Sequence, residues 1–248
     1  MEVSKAFHAD GRQFEALQGV TFSIAAGEFV TIVGPSGSGK STLFNLIVGL
    51  MQPDEGEIRV DGRALVDRIG RFGFMPQRDL LLPWRNVLDN VITPLELKGT
   101  ERPEARRRAL ELLPRFGLEG FEAVYPAALS GGMRQRAALL RSVLSDSDTL
   151  LLDEPFGALD ALTRRQMQDW LLGLWAEYRQ TVLFITHDVD EAVYLADRVI
   201  ALSARPGHVA RQVTIDLPRP REARMVGWPQ FGQSVATLLL SLGVESTP

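Results

Sequence analysis

Apolar and β-branched residues fill positions 29–33 (Phe29-Val30-Thr31-Ile32-Val33), nine small or polar residues follow, and apolar side chains then return at Leu43, Phe44, Leu46, Ile47 and Leu50. The short run predicts a buried strand and the later spacing a helix with one buried face. Upstream, residues 17–24 alternate in strand fashion, and Ala26-Gly27 turns that segment into the buried strand. Only residues 1–3 read as a strand before Ser4-Lys5. Downstream, Pro53-Asp54-Glu55-Gly56 marks a loop, residues 57–60 a short strand, Asp61-Gly62 a hairpin turn and residues 72–75 a further strand.

The middle of the chain changes to a helical pattern, with residues 104–113 rich in Arg, Ala, Leu and Glu. It predicts a helical subdomain, about residues 83–138, inserted into a larger domain. Arg106-Arg107-Arg108 is read as a solvated helix face, given Glu101, Glu104 and Glu111 nearby. From Gly131 the pattern alternates: helix, strand 149–152, helix 161–178, strand 181–186, helix 189–195 and strand 198–202. Such alternation predicts a parallel sheet with helices on both faces, an α/β fold. Leu162, Met167, Trp170, Leu171, Leu174 and Tyr178 form a stripe read as core. A strand at 209–215, a proline-rich link through Pro220 and a short amphipathic helix at 231–242 complete the pattern. The main domain is expected to span 1–221, with 222–248 as a helical tail.

Composition narrows the classes. The 248 residues suffice for one substantial core with a small appended subdomain. Lys plus Arg number 27 and Asp plus Glu 31, a formal charge of −4, which argues against nucleic acid as the main partner. The absence of cysteine removes disulfides, thiolate metal sites and a Cys nucleophile. No apolar run approaches the roughly 18 to 20 residues of a membrane-spanning helix. Met1-Glu2-Val3-Ser4-Lys5 has no signal-peptide core. A cytoplasmic protein is expected, reaching a membrane only through a partner.

The chemistry begins in the loop after the buried strand, Gly34-Pro35-Ser36-Gly37-Ser38-Gly39-Lys40-Ser41-Thr42. It is a P-loop in the required context: glycines let successive N–H groups point into one concavity, and a helix start adds partial positive charge. Lys40, one of three lysines in the chain, would reach the β- and γ-phosphates, and the Ser41 hydroxyl would ligate Mg²⁺. Leu150-Leu151-Leu152-Asp153-Glu154 is an apolar strand ending in two acids. Asp153 would hold Mg²⁺ through water and Glu154 would polarise an attacking water. In Leu129-Ser130-Gly131-Gly132-Met133-Arg134-Gln135-Arg136, Ser130 is a candidate N-cap, and the two glycines leave the helix start open to a phosphate.

Residues 130–136 resemble the signature motif of ATP-binding cassette (ABC) ATPases, and they lie between a P-loop and an acid pair in that family's order. Gln77 then resembles the Q-loop glutamine, Gly157-Ala158-Leu159-Asp160 the D-loop and His187 the switch histidine, so the likeness covers nearly the whole chain. It implies a P-loop NTPase cassette with a RecA-like parallel-sheet core, an antiparallel β subdomain and an inserted helical subdomain. It also implies ATP and Mg²⁺, with two copies sandwiching the nucleotide: Lys40 and Ser41 of one copy are covered by Ser130, Gly131 and Gly132 of the other. Gln77 joins the Mg²⁺ and water network, His187 contacts the γ-phosphate and aligns Glu154, and Asp160 links the two sites. Phe7 occupies the position of an adenine-stacking aromatic, with Phe14 as second choice.

Met75-Pro76-Gln77-Arg78-Asp79-Leu80-Leu81-Leu82-Pro83-Trp84 closely resembles the nitrate, sulfonate and taurine type of ABC importer, as does the segment 204–221. Leucines, proline and tryptophan beside a glutamine make either an apolar notch for a partner's helix or packing within the helical subdomain. The resemblance implies transmembrane permease subunits and, indirectly, a periplasmic substrate-binding protein, with the ATPase on the inner face of the cell membrane. An exporter ATPase and a soluble ABC ATPase of cluster assembly are the alternatives. The tail after Arg221 is too short for the regulatory domain of sugar-type importers.

Overall fold

The computed structural model describes residues 2–9, 12–157 and 159–243. Met1 of the expected first strand, Ala158 of the D-loop-like string and residues 244–248 of the expected tail lie outside the described residues. The strands are β1 (Val3–Ala9), β2 (Arg12–Val20), β3 (Phe29–Val33), β4 (Arg59–Val60), β5 (Arg63–Ala64), β6 (Gly73–Met75), β7 (Thr149–Asp153), β8 (Thr181–Ile185), β9 (Arg198–Leu202) and β10 (Val209–Thr214). The helices are α1 (Lys40–Val48), α2 (Val87–Val91), α3 (Thr93–Leu97), α4 (Arg102–Leu112), α5 (Gly131–Val143), α6 (Ala161–Tyr178), α7 (Val189–Leu195) and α8 (Pro229–Ser241). No described helix is long and apolar enough to cross a membrane. The chain divides into two compact units, residues 1–71 with 168–248, and residues 72–167.

In the first unit β3 is buried along its whole length and pairs in parallel with β8 on one side and β9 on the other; β10 closes on β9 antiparallel. A strand covered on both faces has no polar alternation, which is why β3 reads as a continuous run. Trp175 packs edge-on against Phe29, with ring centroids 6.0 Å apart. Helix α1 ends where Gly49 turns left-handed, φ 88°, an ordinary glycine stop. Leu50 therefore falls beyond the helix and is exposed, not part of its buried face. The Asp61-Gly62 turn joins β4 to β5 with both residues at positive φ, 51° and 75°.

Two strands run differently from what the sequence pattern predicts. The first strand is not confined to residues 1–3: β1 runs through Ser4 and Lys5 to Ala9, antiparallel to β2, with Phe7 opposite Phe14. The second strand is Arg12–Val20, not 17–24, because its ladder ends where Val3 pairs with Val20.

In the second unit β6 and β7 pair in parallel, and α2 to α5 supply the helical middle. Asn90, fully buried, accepts from Leu82 N at 2.7 Å and donates to the carbonyls of Leu82, Arg85 and Asn86, fixing the turn ahead of α2. The arginine triplet meets acids: Arg106 pairs with Asp89, Arg107 with Glu104 and Glu111, and Arg108 with Asp146. Along α6, Met167, Leu171 and Leu174 are buried as expected, together with Leu172 and Trp175. Leu162 and Tyr178 are exposed at its two ends, so the core stripe is shorter than its spacing suggested.

Candidate functional site

Loop 34–42 has the backbone of an anion cradle. Gly37 and Gly39 adopt φ of 79° and 87°, a region that L side chains rarely enter. Gly34 is held by space: a Cβ there would lie 2.9 Å from the Leu202 carbonyl oxygen. The first bond of the α1 ladder runs from Leu43 N to Gly39 O, 2.8 Å, so the amides of Lys40, Ser41 and Thr42 stand ahead of it, with no acid in the first turn. Lys40 is buried, and its Nζ donates to Gly34 O at 2.8 Å, Pro35 O at 3.0 Å and Ser38 Oγ at 3.3 Å. Its ammonium thus lies folded against the loop it would serve. Pro35 O accepts from Ser38 N at 3.2 Å, closing a turn whose outer residues, Ser36 and Gly37, are exposed.

Phe7 and Phe14 stack at 5.7 Å, and both are half-buried. The Arg205 guanidinium covers Phe14 at 4.9 Å from the ring centroid. His187 is exposed between β8 and α7, and its neighbours are fastened: Thr186 N donates to Ile32 O at 3.2 Å, and Asp188 caps α7 by accepting from Glu191 N at 3.0 Å. Glu191, buried on α7, accepts from Gln168 Nε2 at 2.9 Å. Residue 187 is thereby tied to the strand that feeds the loop.

In the second unit Asp153 is buried at the carboxyl end of β7, where parallel sheets present ligand-facing groups. Glu154 follows with φ 47°, an uncommon conformation for a non-glycine residue. Its Oε2 accepts from Gln77 Nε2 at 3.3 Å, so two of the sequence candidates meet directly.

Ser130 is the N-cap of α5 and accepts from Met133 N at 3.2 Å. Gly131 and Gly132 form the first turn. A Cβ on Gly131 would meet only the Arg134 guanidinium, at 3.9 Å, an ordinary contact; on Gly132 it would meet a Leu159 methyl at 3.2 Å. Nothing in the chain's own packing demands glycine at 131. Asp160 caps α6 by accepting from Thr163 N at 3.0 Å, and these hydrogen bonds hold its carboxyl below the usual range. After Gln77, Arg141 donates to the carbonyls of Asp79 and Leu80, and Arg134 pairs with Asp79 at 3.2 Å. That framework leaves Leu80 and Trp84 exposed, Trp84 at 71%, while Leu81 turns inward.

A family described as ABC transporter matches residues 17–157, more than half of the chain. The chain belongs to the ABC transporter family. It is 43% identical over 94% of its length to the aliphatic sulfonates import ATP-binding protein SsuB of Bacillus cereus, covering 92% of that protein. It is 45% identical over 89% of its length to the formylaminopyrimidine import ATP-binding protein ThiZ of Halalkalibacterium halodurans, covering 86% of it. Among solved structures, the dimeric post-hydrolysis state of the ATP-binding cassette MJ0796 bound to ADP and Pi aligns with a TM-score of 0.78 and 35% identity, over 88% of this chain and 98% of that one. The fold is the α/β P-loop NTPase cassette, and the chain is an ATP-binding, ATP-hydrolysing transporter subunit.

One contributor escaped sequence reasoning. Gly207, between β9 and β10, donates to Ala16 O at 3.0 Å and accepts from Gln18 N at 2.9 Å, and a Cβ on it would lie 2.0 Å from the Ser38 carbonyl oxygen. Its sequence signal, a glycine after proline, denotes a turn and nothing about the distant loop it abuts.

Proposed function

We propose that this chain is the ATPase subunit of a membrane importer of the nitrate, sulfonate and taurine type, coupling ATP-driven closure of two copies to substrate uptake. The observation that carries it is the open start of α5: a serine cap and two glycines, one with no steric need for glycine in its own chain. Each helical glycine costs up to about 1 kcal/mol relative to alanine. Its retention fits close approach by a second copy's nucleotide phosphates. The import function named for relatives such as SsuB and ThiZ supports the direction of transport.

The proposed roles follow residue by residue. The amides of 34–42 cradle the phosphates, Lys40 neutralises β- and γ-phosphate charge, and Phe7 stacks on adenine. Glu154 orients and deprotonates the attacking water, held by Gln77; His187 contacts the γ-phosphate, and Asp160 communicates between the two copies. The donor set fits Mg²⁺: the Ser41 hydroxyl, the Asp153 carboxylate and the Gln77 amide are hard oxygen ligands, the kind that ion takes alongside substrate phosphates. When bound, Mg²⁺ would neutralise phosphate charge as it develops. We propose 1–221 as the ABC domain, with residues 83–138 as its helical part and 222–248 as a tail.

Partners follow from the same reading. Exposed Leu80 and Trp84, on a turn pinned by Asn90 and Arg141, suit docking of an apolar permease helix and so a position on the cytoplasmic face of the membrane. A periplasmic substrate-binding protein would act through the permease, and nucleic acid is no part of the function. Co-purification with detergent-solubilised permease subunits tests this; a chain that binds none overturns the transporter role.

A further inference from the structure

Residues 203–208 do more than connect β9 to β10. Ser203 closes the turn on itself: its N donates to His208 O at 3.0 Å, and its Oγ accepts from His208 N at 3.0 Å. Gly207 seats the turn against β2 and against the Ser38 carbonyl, with no room for a side chain. Two residues earlier, Arg205 is therefore projected from a braced platform. Its guanidinium carbon lies 4.9 Å from the Phe14 ring centroid, and its Nη2 lies 3.8 Å from the point a Cβ on Gly37 would occupy. One side chain thus spans from the aromatic pair to the tip of the phosphate loop.

Its charge is also available. Among the described residues, Arg205 is exposed and has no carboxylate partner, whereas Arg198 and Arg219 of the same unit pair with Glu28 and Asp197. A cation beside an anion cradle, with no acid to neutralise it, raises the local concentration of anionic ligands. A guanidinium can rest on an aromatic face while its edge donates two hydrogen bonds to a phosphate, which a lysine ammonium cannot do.

We propose that Arg205 is a nucleotide-binding residue of this ATPase, its guanidinium donating to the sugar–phosphate span of ATP between the aromatic pair and loop 34–42. The proposal rests on the assignment of that loop as the phosphate cradle. It extends the site to a turn remote in sequence, and it explains why that turn is braced against the loop instead of standing free.

The test is calorimetric titration of the full chain with ATP and ADP, together with steady-state ATPase kinetics, for wild type, Arg205→Gln, Arg205→Lys and Lys40→Ala. Arg205→Gln is expected to weaken ATP and ADP binding about tenfold, as for loss of a hydrogen bond to a charged group, with the kinetic loss in KM more than in kcat. Arg205→Lys should recover part of it, with melting temperatures unchanged. Arg205→Gln binding both nucleotides as wild type does, or weakening them only with a lowered melting temperature, overturns the proposal. Failure of the cradle assignment looks different: Lys40→Ala would then bind ATP like wild type, and both readings fall together.

Discussion

Glu154 and Gly131 carry the sharpest expectations at the scale of single residues. Glu154 ends a buried strand in a left-handed conformation and receives the Gln77 amide, a placement that suits a base held toward one water. Glu154→Gln keeps the shape and hydrogen bonding but removes the basic carboxylate. Turnover should fall by at least about a hundredfold while calorimetric ATP affinity stays within about twofold; unchanged steady-state hydrolysis would remove Glu154 from that role. Gly131→Ala separates folding from function in the opposite sense. Its Cβ has room in the isolated chain, so thermal unfolding should show equal or greater stability, by up to about 1 kcal/mol, with reduced ATPase activity. A variant with full activity would show that nothing approaches that helix start. The left-handed glycines of the loop and the acids at the end of β7 stand where the sequence puts them, because a sharp strand-to-helix turn needs positive φ and a continuous apolar run marks where its strand ends. Arg205 and Gly207 could not be read in this way, since their meaning lies in what residues more than 150 positions away place beside them.

At the scale of elements, legibility followed burial. The strands buried on both faces, β3, β7, β8 and β9, are continuous apolar runs, and the helices between them begin within a residue or two of where periodicity put them. The paired strands β1 and β2 are less legible because the polar residues Ser4, Lys5, Gln13 and Glu15 interrupt any apolar signal. Leu162 and Tyr178 keep the helical spacing of the α6 stripe but lie at its ends, and both are exposed. The arginine triplet on α4 was rightly assigned to a charged surface, and one of its pairs carries a pH dependence. The Arg108 hydrogen bond holds the Asp146 carboxyl below the ordinary aspartate range. Because the folded pKa is depressed, this pair's contribution is complete above the ordinary aspartate value and is lost as pH falls through the lower folded value. Arg108→Gln should therefore cost under about 1 kcal/mol at neutral pH, as for a solvated pair, and flatten the acid limb of the stability profile in urea titrations. An equally steep limb in both proteins would show that the pair contributes nothing.

For the whole molecule, the proposed function assigns outside partners to two surfaces, the Trp84 turn and the start of α5. The Trp84 turn is built outward by buried Asn90 and by Arg141, an investment in rigidity that suits docking. Trp84→Ala should leave ATPase activity of the isolated chain within about twofold, as for a surface change, while abolishing ATP-driven uptake in reconstituted vesicles; normal uptake would take Trp84 off the coupling surface. The other surface is the start of α5, where the proposed function leaves one chain with only half of each working site. On the proposed function a single loop binds ATP, and hydrolysis requires a second copy to close over it. The most direct measurement is sedimentation velocity of Glu154→Gln with and without saturating ATP. The variant is expected to be a monomer that becomes a dimer with ATP and remains monomeric with ADP, the dimer being lost when Lys40→Ala is added. A chain that stays monomeric at saturating ATP, or dimerises equally with ADP, would contradict the proposed function.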